Sequence, residues 1–353
     1  LRINNCSILE KKGKGKGKEK ENKFVVVLYM MNYYAKYVFI LIIMLVLGYV
    51  FDKYKKDEAI NDKMDHYELI KKHLLNDSTL AQTDKPILWV HVTFETNARW
   101  WPHFASRNTQ CLNQPYQYLT IKSIIDHCGE SFNVCLIDDR AFNKIIPGWS
   151  TKIANLPNPL RPHLRELAMA KMLFYYGGMT IPSTFACMRN ISPLYNKGLL
   201  STSMFCGELP SDSTTSSLTE FFPTNKIMGC VKDSPVMEKY VHYLENIVSN
   251  DYTNEMDFTD EPGKWLYEQV LKKNIMPLDA KYFGVKTADG EPVLVDDLIG
   301  DDDDFELSKC AYGLYIPGDK ILKRTNLQWF ARLCPEQVLS SNTLIARYLL
   351  LCN

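Results

Sequence analysis

One stretch, LRELAMAKMLFYYGGMTIPST at positions 164–184, constrains the fold of this chain more than any other. Leu164, Leu167, Ala168, Met172 and Tyr175 recur at helical spacing and form one apolar stripe, with Arg165, Glu166 and Lys171 off it. Upstream, Asn158 suits an N-cap and Pro159 the first helical position, where its missing N–H costs nothing. The helix must stop at Gly177-Gly178, because a residue just past a helix end commonly turns left-handed and glycine does so without steric cost. Met179-Thr180-Ile181 then reads as a short strand. A helix with one buried face that halts and feeds directly into a strand belongs to a layered α/β architecture.

The surrounding sequence extends that pattern. Ile87 to Val92 is a continuous apolar run after Pro86, as expected for a strand buried on both faces. Tyr116 to His127 has helical periodicity through Leu119, Ile121, Ile124 and Ile125, and Phe132 to Ile137 is a second buried strand. Strand, helix, strand in that order implies a parallel βαβ unit. Further on, Ser211 to Thr219 reads as a surface loop, Ile227 to Cys230 as a small strand, and Pro235 to Val248 as a helix. Tyr312 to Pro317 and Asn326 to Tyr348 read as a final strand and helix. The basic and aromatic run Lys320 to Arg332 reads as an amphipathic packing helix, and the acidic run Asp301 to Asp304 as a solvated loop.

Ligands of open α/β sheets bind outside the carboxyl ends of the parallel strands. That rule gathers His91, Asp138, Asp139 and the Pro182–Thr184 segment along one crevice. Asp138 and Asp139 could accept hydrogen bonds from a base or ribose, or simply be two solvated carboxylates at a strand end. His91, flanked by Val90 and Val92, could equally be a core histidine. No GxSxG, HExxH or Walker-type loop occurs, so hydrolase and NTPase readings have no residues to rest on.

The run from Glu166 to Thr184, set against the strands at 87–92 and 132–137, resembles the capsular-polysaccharide-synthesis and DxD sugar-binding glycosyltransferases. In those families an acidic residue, an arginine three positions on, a glycine pair and an Asp-x-Asp motif follow one another, and the two aspartates hold the metal that bridges the donor diphosphate. Carried over, the acidic position is Glu166, the arginine position Met169, the glycines Gly177 and Gly178, and the Asp-x-Asp positions Pro182 and Thr184. Glu261-Pro262-Gly263 is weakly similar to a later Gly-Pro segment of the same enzymes. The resemblance implies a GT-A fold, Rossmann-like, with a mostly parallel sheet flanked by helices. It also implies a nucleotide-sugar site formed by His91, Asp138, Asp139, Glu166, Gly177, Gly178 and Thr184. Without the two carboxylates it implies no metal and no other cofactor. Either a basic residue such as Lys171 or Arg189 replaces the cation, or the protein is catalytically inactive and serves as a binding or virion structural component. LNQPYQYLTIKSIIDHC and ILKRTNLQWFAR are also similar to segments of uncharacterised membrane-anchored proteins of nucleocytoplasmic large DNA viruses.

The N-terminal part has a different character. Residues 1–32 include the Lys/Gly/Glu run at 11–23, which cannot build a core, and the first methionines are Met30 and Met31. This segment is expected to be a disordered tail or to precede the true start of translation. Tyr37 to Phe51 is uncharged, and with Tyr33 to Lys36 it gives nineteen residues, enough to span a bilayer if Lys36 snorkels. Residues 33–51 are therefore expected to be a single transmembrane anchor of a host endomembrane or virion membrane protein, 52–84 a charged stalk, and 85–353 the globular domain. The basic tail would keep the N-terminus inside, whereas a start at Met30 would leave Lys53, Lys55 and Lys56 to hold the globular domain there. A formal net charge of zero speaks against nucleic acid as a partner, leaving the membrane and a nucleotide sugar. Ten cysteines scattered without a CxxC pair read as mostly buried thiols.

Overall fold

The computed structural model describes residues 43–50, 85–92, 114–153, 156, 160–210, 221–249, 261–300 and 306–352. The chain divides into two units, Leu1–His66 and Tyr67–Asn353. In the first, residues 43–50 form a helix, α1, whose large apolar side chains from Ile43 to Val50 are all exposed. Among the described residues no helix is long and apolar enough to cross a membrane. The rest of the expected anchor, the tail and the stalk lie outside the described residues, as do Asn158, Pro159, the Ser211–Thr219 loop and the Asp301–Asp304 run.

The second unit is built on a six-stranded sheet of order β2-β1-β3-β6-β5-β7. Its strands are β1 (Ile87–His91), β2 (Asn133–Ile137), β3 (Gly178–Pro182), β5 (Met204–Pro210), β6 (Phe221–Cys230) and β7 (Met276–Leu278). The β2-β1-β3 block is parallel, β6 runs antiparallel to both β3 and β5, and β7 is parallel to β5. The expected α/β layering with parallel strands is present, but the sheet is mixed. The cause is β6, a ten-residue central strand where the sequence pattern indicates only Ile227 to Cys230. Its middle carries Thr224, Asn225 and Lys226, so a continuous apolar run is visible only at the end that packs into the core.

Alternation along the strands sorts the core into two layers. Leu88, Val90, Val134, Leu136, Met179 and Ile181 face helix α2 (Gln117–Cys128) through Ile121, Ile124 and Ile125. Trp89, Cys135, Ile137, Met228 and Cys230 face α4 (Leu160–Tyr176) and α6 (Pro235–Ser249) through Leu167, Met172, Leu173, Met237 and Leu244. Shorter helices, α3 (Phe142–Ile145), α5 (Ser192–Gly198), α7 (Glu261–Leu271) and α8 (Val295–Ile299), occupy connections between these elements. Each fully buried large apolar side chain of this kind contributes about 1.5–3 kcal/mol. Of the expected α4 stripe, Leu164, Leu167, Ala168 and Met172 are buried and Tyr175 is half-buried.

The halt of α4 is anchored by its neighbours. Gly177 has φ +70 and Gly178 φ +98. Leu173 O accepts from Gly177 N, Phe174 O accepts from Asp233 N, and the buried Trp89 indole donates to Gly177 O at 3.0 Å. The carbonyls left without helical partners at this end thus find donors on β1 and on the turn after β6.

A third cluster lies around a two-stranded sheet of β4 (Phe185–Cys187) and β8 (Gly313–Tyr315). The C-terminal part packs on it as short pieces: α9 (Gly318–Lys323), α10 (Gln328–Ala331), α11 (Pro335–Leu339) and α12 (Leu344–Cys352). The long helix expected over Asn326–Tyr348 and the amphipathic helix over Lys320–Arg332 are therefore corrected to broken segments. Arg324 is extended (φ −86, ψ 120), and Pro335 can begin a helix but not continue one. The eight described cysteines are free thiols, six of them buried.

Candidate functional site

A cleft of about 330 Å³ opens where β1 and β3 end. One wall is the polar side of α4. Arg165, Glu166, Met169 and Ala170, one helical turn apart in pairs, project into it because Leu164, Leu167 and Ala168 hold the opposite side in the core. The floor is Thr180 to Thr184, the carboxyl end of β3 and the two residues that follow it. The other walls come from α2 (Gln117), β6 (Asn225, Lys226, Met228), β8 (Tyr315) and the start of α9 (Gly318, Asp319, Leu322).

Hydrogen bonds fasten the floor. Thr120 Oγ1 donates to Ser183 O at 2.5 Å, Ser183 Oγ donates to Gln117 Oε1 at 3.2 Å, and Gln114 Nε2 donates to Gly318 O at 3.1 Å. Gln114 Oε1 and the Tyr116 hydroxyl are buried with no partner among the described residues. Burial, and behind it the proximity of Tyr315 and Asp319, pushes the Tyr116 phenol well above its usual range.

At the mouth of β1, His91 Nε2 lies 3.0 Å from Asp139 Oδ1, and the ring stacks on Phe142 at 5.4 Å. Arg165 grips the same carboxylate with two bonds, at 2.8 and 2.7 Å. Burial pushes the Asp139 carboxyl up, but the hydrogen bonds and charges of His91 and Arg165 outweigh it and hold the group well below the usual carboxylate range. An ionised Asp139 accepts, so His91 Nε2 carries the proton in this pair.

These contacts sort the residues expected to form the site. His91, Glu166 and Thr184 line the cleft, and the Tyr240 hydroxyl donates to Glu166 Oε1. Asp139 stands behind the lining as the shared partner of His91 and Arg165. Asp138 closes a turn, accepting from the backbone N–H groups of Arg140 and Ala141 at 3.1 and 2.9 Å. Gly177 and Gly178 lie at the start of β3, outside the lining of the cleft, and both have positive φ. Lys171 pairs with Glu245 at 2.7 Å, and Arg189 donates to Ala311 O and Lys309 O while covering the Tyr312 ring. Neither lines the cleft, so neither occupies the place of a cation there.

Several lining residues carry little signal in the sequence. Arg165 is visible only as a polar position on α4, and Lys226 lies one residue before the strand pattern that begins at Ile227. Gln117, Tyr315 and Asp319 come to the cleft only through the packing of α2 and of the C-terminal part.

The residues at the Asp-x-Asp positions do not suit a divalent cation. Pro182 has no donor atom, Thr184 offers one neutral hydroxyl, and the hydroxyl of Ser183 is engaged with Gln117. Manganese and magnesium require several hard oxygen ligands to offset their dehydration, usually carboxylates. Among the described residues no group of three or more His, Cys, Asp or Glu is arranged to hold an ion.

No family model matches the chain, and no curated protein matches it significantly.

Proposed function

We propose that this chain is a membrane-anchored, glycosyltransferase-like protein of GT-A type whose cleft binds a nucleotide sugar. The observation that carries the reading is the route of the chain from Leu160 to Thr184. A helix, a glycine turn and a strand deliver Pro182–Thr184 to the carboxyl edge of the parallel β2-β1-β3 block, where they floor a polar cleft. That edge is where α/β sheets bind their ligands. The cleft volume of about 330 Å³ is of the order that small-ligand pockets have. Amide, hydroxyl and aromatic groups, with Tyr240 and Tyr315 among them, suit a hydroxylated ligand. Anchoring is supported by α1, whose apolar side chains all face solvent, Tyr49 at 72% exposure and Met44 at 69%.

The neutral Pro182-Ser183-Thr184 segment favours a second reading of the same fold, a protein that binds the donor without transferring it. Both are tested by incubating the chain with UDP-, GDP- and CMP-sugars. A donor at a hundred times its Kd raises stability by about 2.7 kcal/mol, visible as a thermal shift. Stabilisation with release of free nucleotide supports a transferase, and stabilisation without release supports the binding protein. No stabilisation by any donor rejects the nucleotide-sugar reading altogether.

A further inference from the structure

We infer that the end of the cleft between the start of α2 and the start of α9 is a subsite for a neutral hydroxyl group of the ligand, which donates to Gln114 Oε1 and accepts from the Tyr116 hydroxyl. The inference rests on the nucleotide-sugar reading above and adds the recognising residues and the way round that the ligand lies.

Tyr116 immediately precedes α2, and its ring is fully buried against Phe330 with centroids 5.3 Å apart. A phenylalanine would fill that place equally well. The hydroxyl brings the cost of taking a polar group out of water, and no partner among the described residues offsets it. Gln114, 3% exposed, lines the cleft. Its Nε2 donates to Gly318 O at 3.1 Å, which fixes the orientation of the amide and leaves Oε1 over. Among the described residues, Gln114 Oε1 and the Tyr116 hydroxyl are the two buried side-chain polar atoms without a partner.

Both side chains end at the same place. A Cβ added at Gly318, a residue of the cleft wall, would lie 2.9 Å from Gln114 Nε2 and 3.0 Å from both the Tyr116 hydroxyl and Thr184 Cγ2. The amide and the phenol thus converge where the wall has no side chain of its own. Entry of a ligand group takes an adjustment of the Gln114 amide, the movable end of a long side chain, of the kind that binding commonly brings.

The chemistry of the two atoms defines the group they fit. Oε1 only accepts, so the ligand must bring a donor. Burial keeps the Tyr116 phenol protonated, so it can donate and the ligand must also bring a lone pair. A hydroxyl supplies both. An ionised phosphate oxygen has no proton for Oε1 and would also meet the charge of Asp319, which lines the same part of the cleft. An ammonium has no lone pair for the phenol. The subsite therefore takes a hydroxyl of the ribose or of the glycosyl unit, and the diphosphate lies elsewhere in the cleft.

The test uses the whole chain in detergent and two variants, Tyr116→Phe and Gly318→Ala. Thermal unfolding is followed without ligand, and affinity is measured for UDP, UDP-glucose, UDP-galactose, UDP-N-acetylglucosamine, GDP and GDP-mannose. Tyr116→Phe should unfold at the same temperature as the unaltered chain or higher, because it removes an unpaired buried group, yet bind its nucleotide sugar about three- to tenfold more weakly. A loss shared with the free nucleoside diphosphate assigns the subsite to the ribose, and a loss confined to the sugar ester assigns it to the glycosyl unit; either upholds the inference. Gly318→Ala should weaken the same ligand at least as much, since its methyl group displaces the amide.

Unchanged affinity in either variant would overturn the inference. So would a Tyr116→Phe chain that unfolds at a lower temperature, since the hydroxyl would then have a partner within the protein or a bound water and no need of a ligand. In those cases nucleotide-sugar binding itself stands. Absence of binding by all six nucleotides overturns the underlying functional reading, and this inference with it.

Discussion

Replacing Gly178 by alanine isolates the physical reason for the turn between α4 and β3. Gly178 has φ +98, and a Cβ built there would lie 2.2 Å from Ile87 O and 3.0 Å from Ile87 C. Both atoms are backbone at the start of β1, which is buried and hydrogen-bonded on both sides in the sheet. No rotamer change can relieve the contact, so β1 and β3 must separate. The left-handed conformation costs about 1–2 kcal/mol for a residue with a Cβ, and forced overpacking adds about 1–3 kcal/mol. A total of about 2–5 kcal/mol follows. Gly148 is the internal control. Its φ is +73, yet nothing lies within 4 Å of a Cβ added there, so Gly148→Ala should cost only the conformational part, about 1–2 kcal/mol. The assay is urea unfolding of a chain beginning at Lys85, followed by tryptophan fluorescence. With a slope of about 3 kcal/mol/M, Gly178→Ala should lower the midpoint by about 1 M or more and Gly148→Ala by about half that. Equal losses for the two variants would refute the argument that close approach of β1, and not backbone conformation alone, selects glycine at 178.

Asp139→Asn should cost about 3 kcal/mol at neutral pH, because it leaves the Arg165 guanidinium without its anionic partner. The folded-state carboxyl of Asp139 is depressed, so its stabilisation is complete above the unfolded carboxylate range and is lost as pH falls below about 4. Acid titration of stability should therefore be shallower in the Asn variant, and parallel curves would contradict the ion-pair account. A chain beginning at Lys85 should remain in the supernatant after alkaline washing of membranes, whereas the whole chain stays in the pellet; retention of the short chain would remove the anchoring role from residues 33–51. Pro182→Asp with Thr184→Asp should create manganese binding measurable by calorimetry, and more strongly when Lys226→Met is added, since the lysine opposes a cation at that place. Manganese binding that is indifferent to Lys226 would show that these residues do not share one site.

What the sequence determined by itself is the set of elements whose cause is local. The stripe Leu164–Met172, the glycine stop and the apolar runs at 87–92 and 132–137 each carry their own periodicity, and the structure has α4, β1, β2 and β3 where those signals fall. Gly177 could be assigned a left-handed turn in advance because few other residues end a helix that way, and its φ is +70. The carboxyl-edge rule likewise located His91 and Thr184, since strand direction follows from the βαβ order.

Tertiary structure decided the rest, because the deciding contacts join residues far apart in the chain. Asp139 reads in the sequence as a strand-end carboxylate open to a base, a ribose or water, and in the fold it is an ion-pair partner, for Arg165 lies twenty-six residues away and reaches it only when α4 packs against the sheet. Lys226 has the character of a residue outside a short strand. It lies in the cleft because β6 inserts antiparallel between β3 and β5, a choice made by pairing and burial over the whole sheet and not by any local pattern. Arg324 and Pro335 break the final helix, and the pieces that result fold back to place Gly318 and Asp319 on the rim. Local periodicity records which side of an element is apolar; which polar side chains then meet depends on how those sides are stacked, and only the packed core supplies that information.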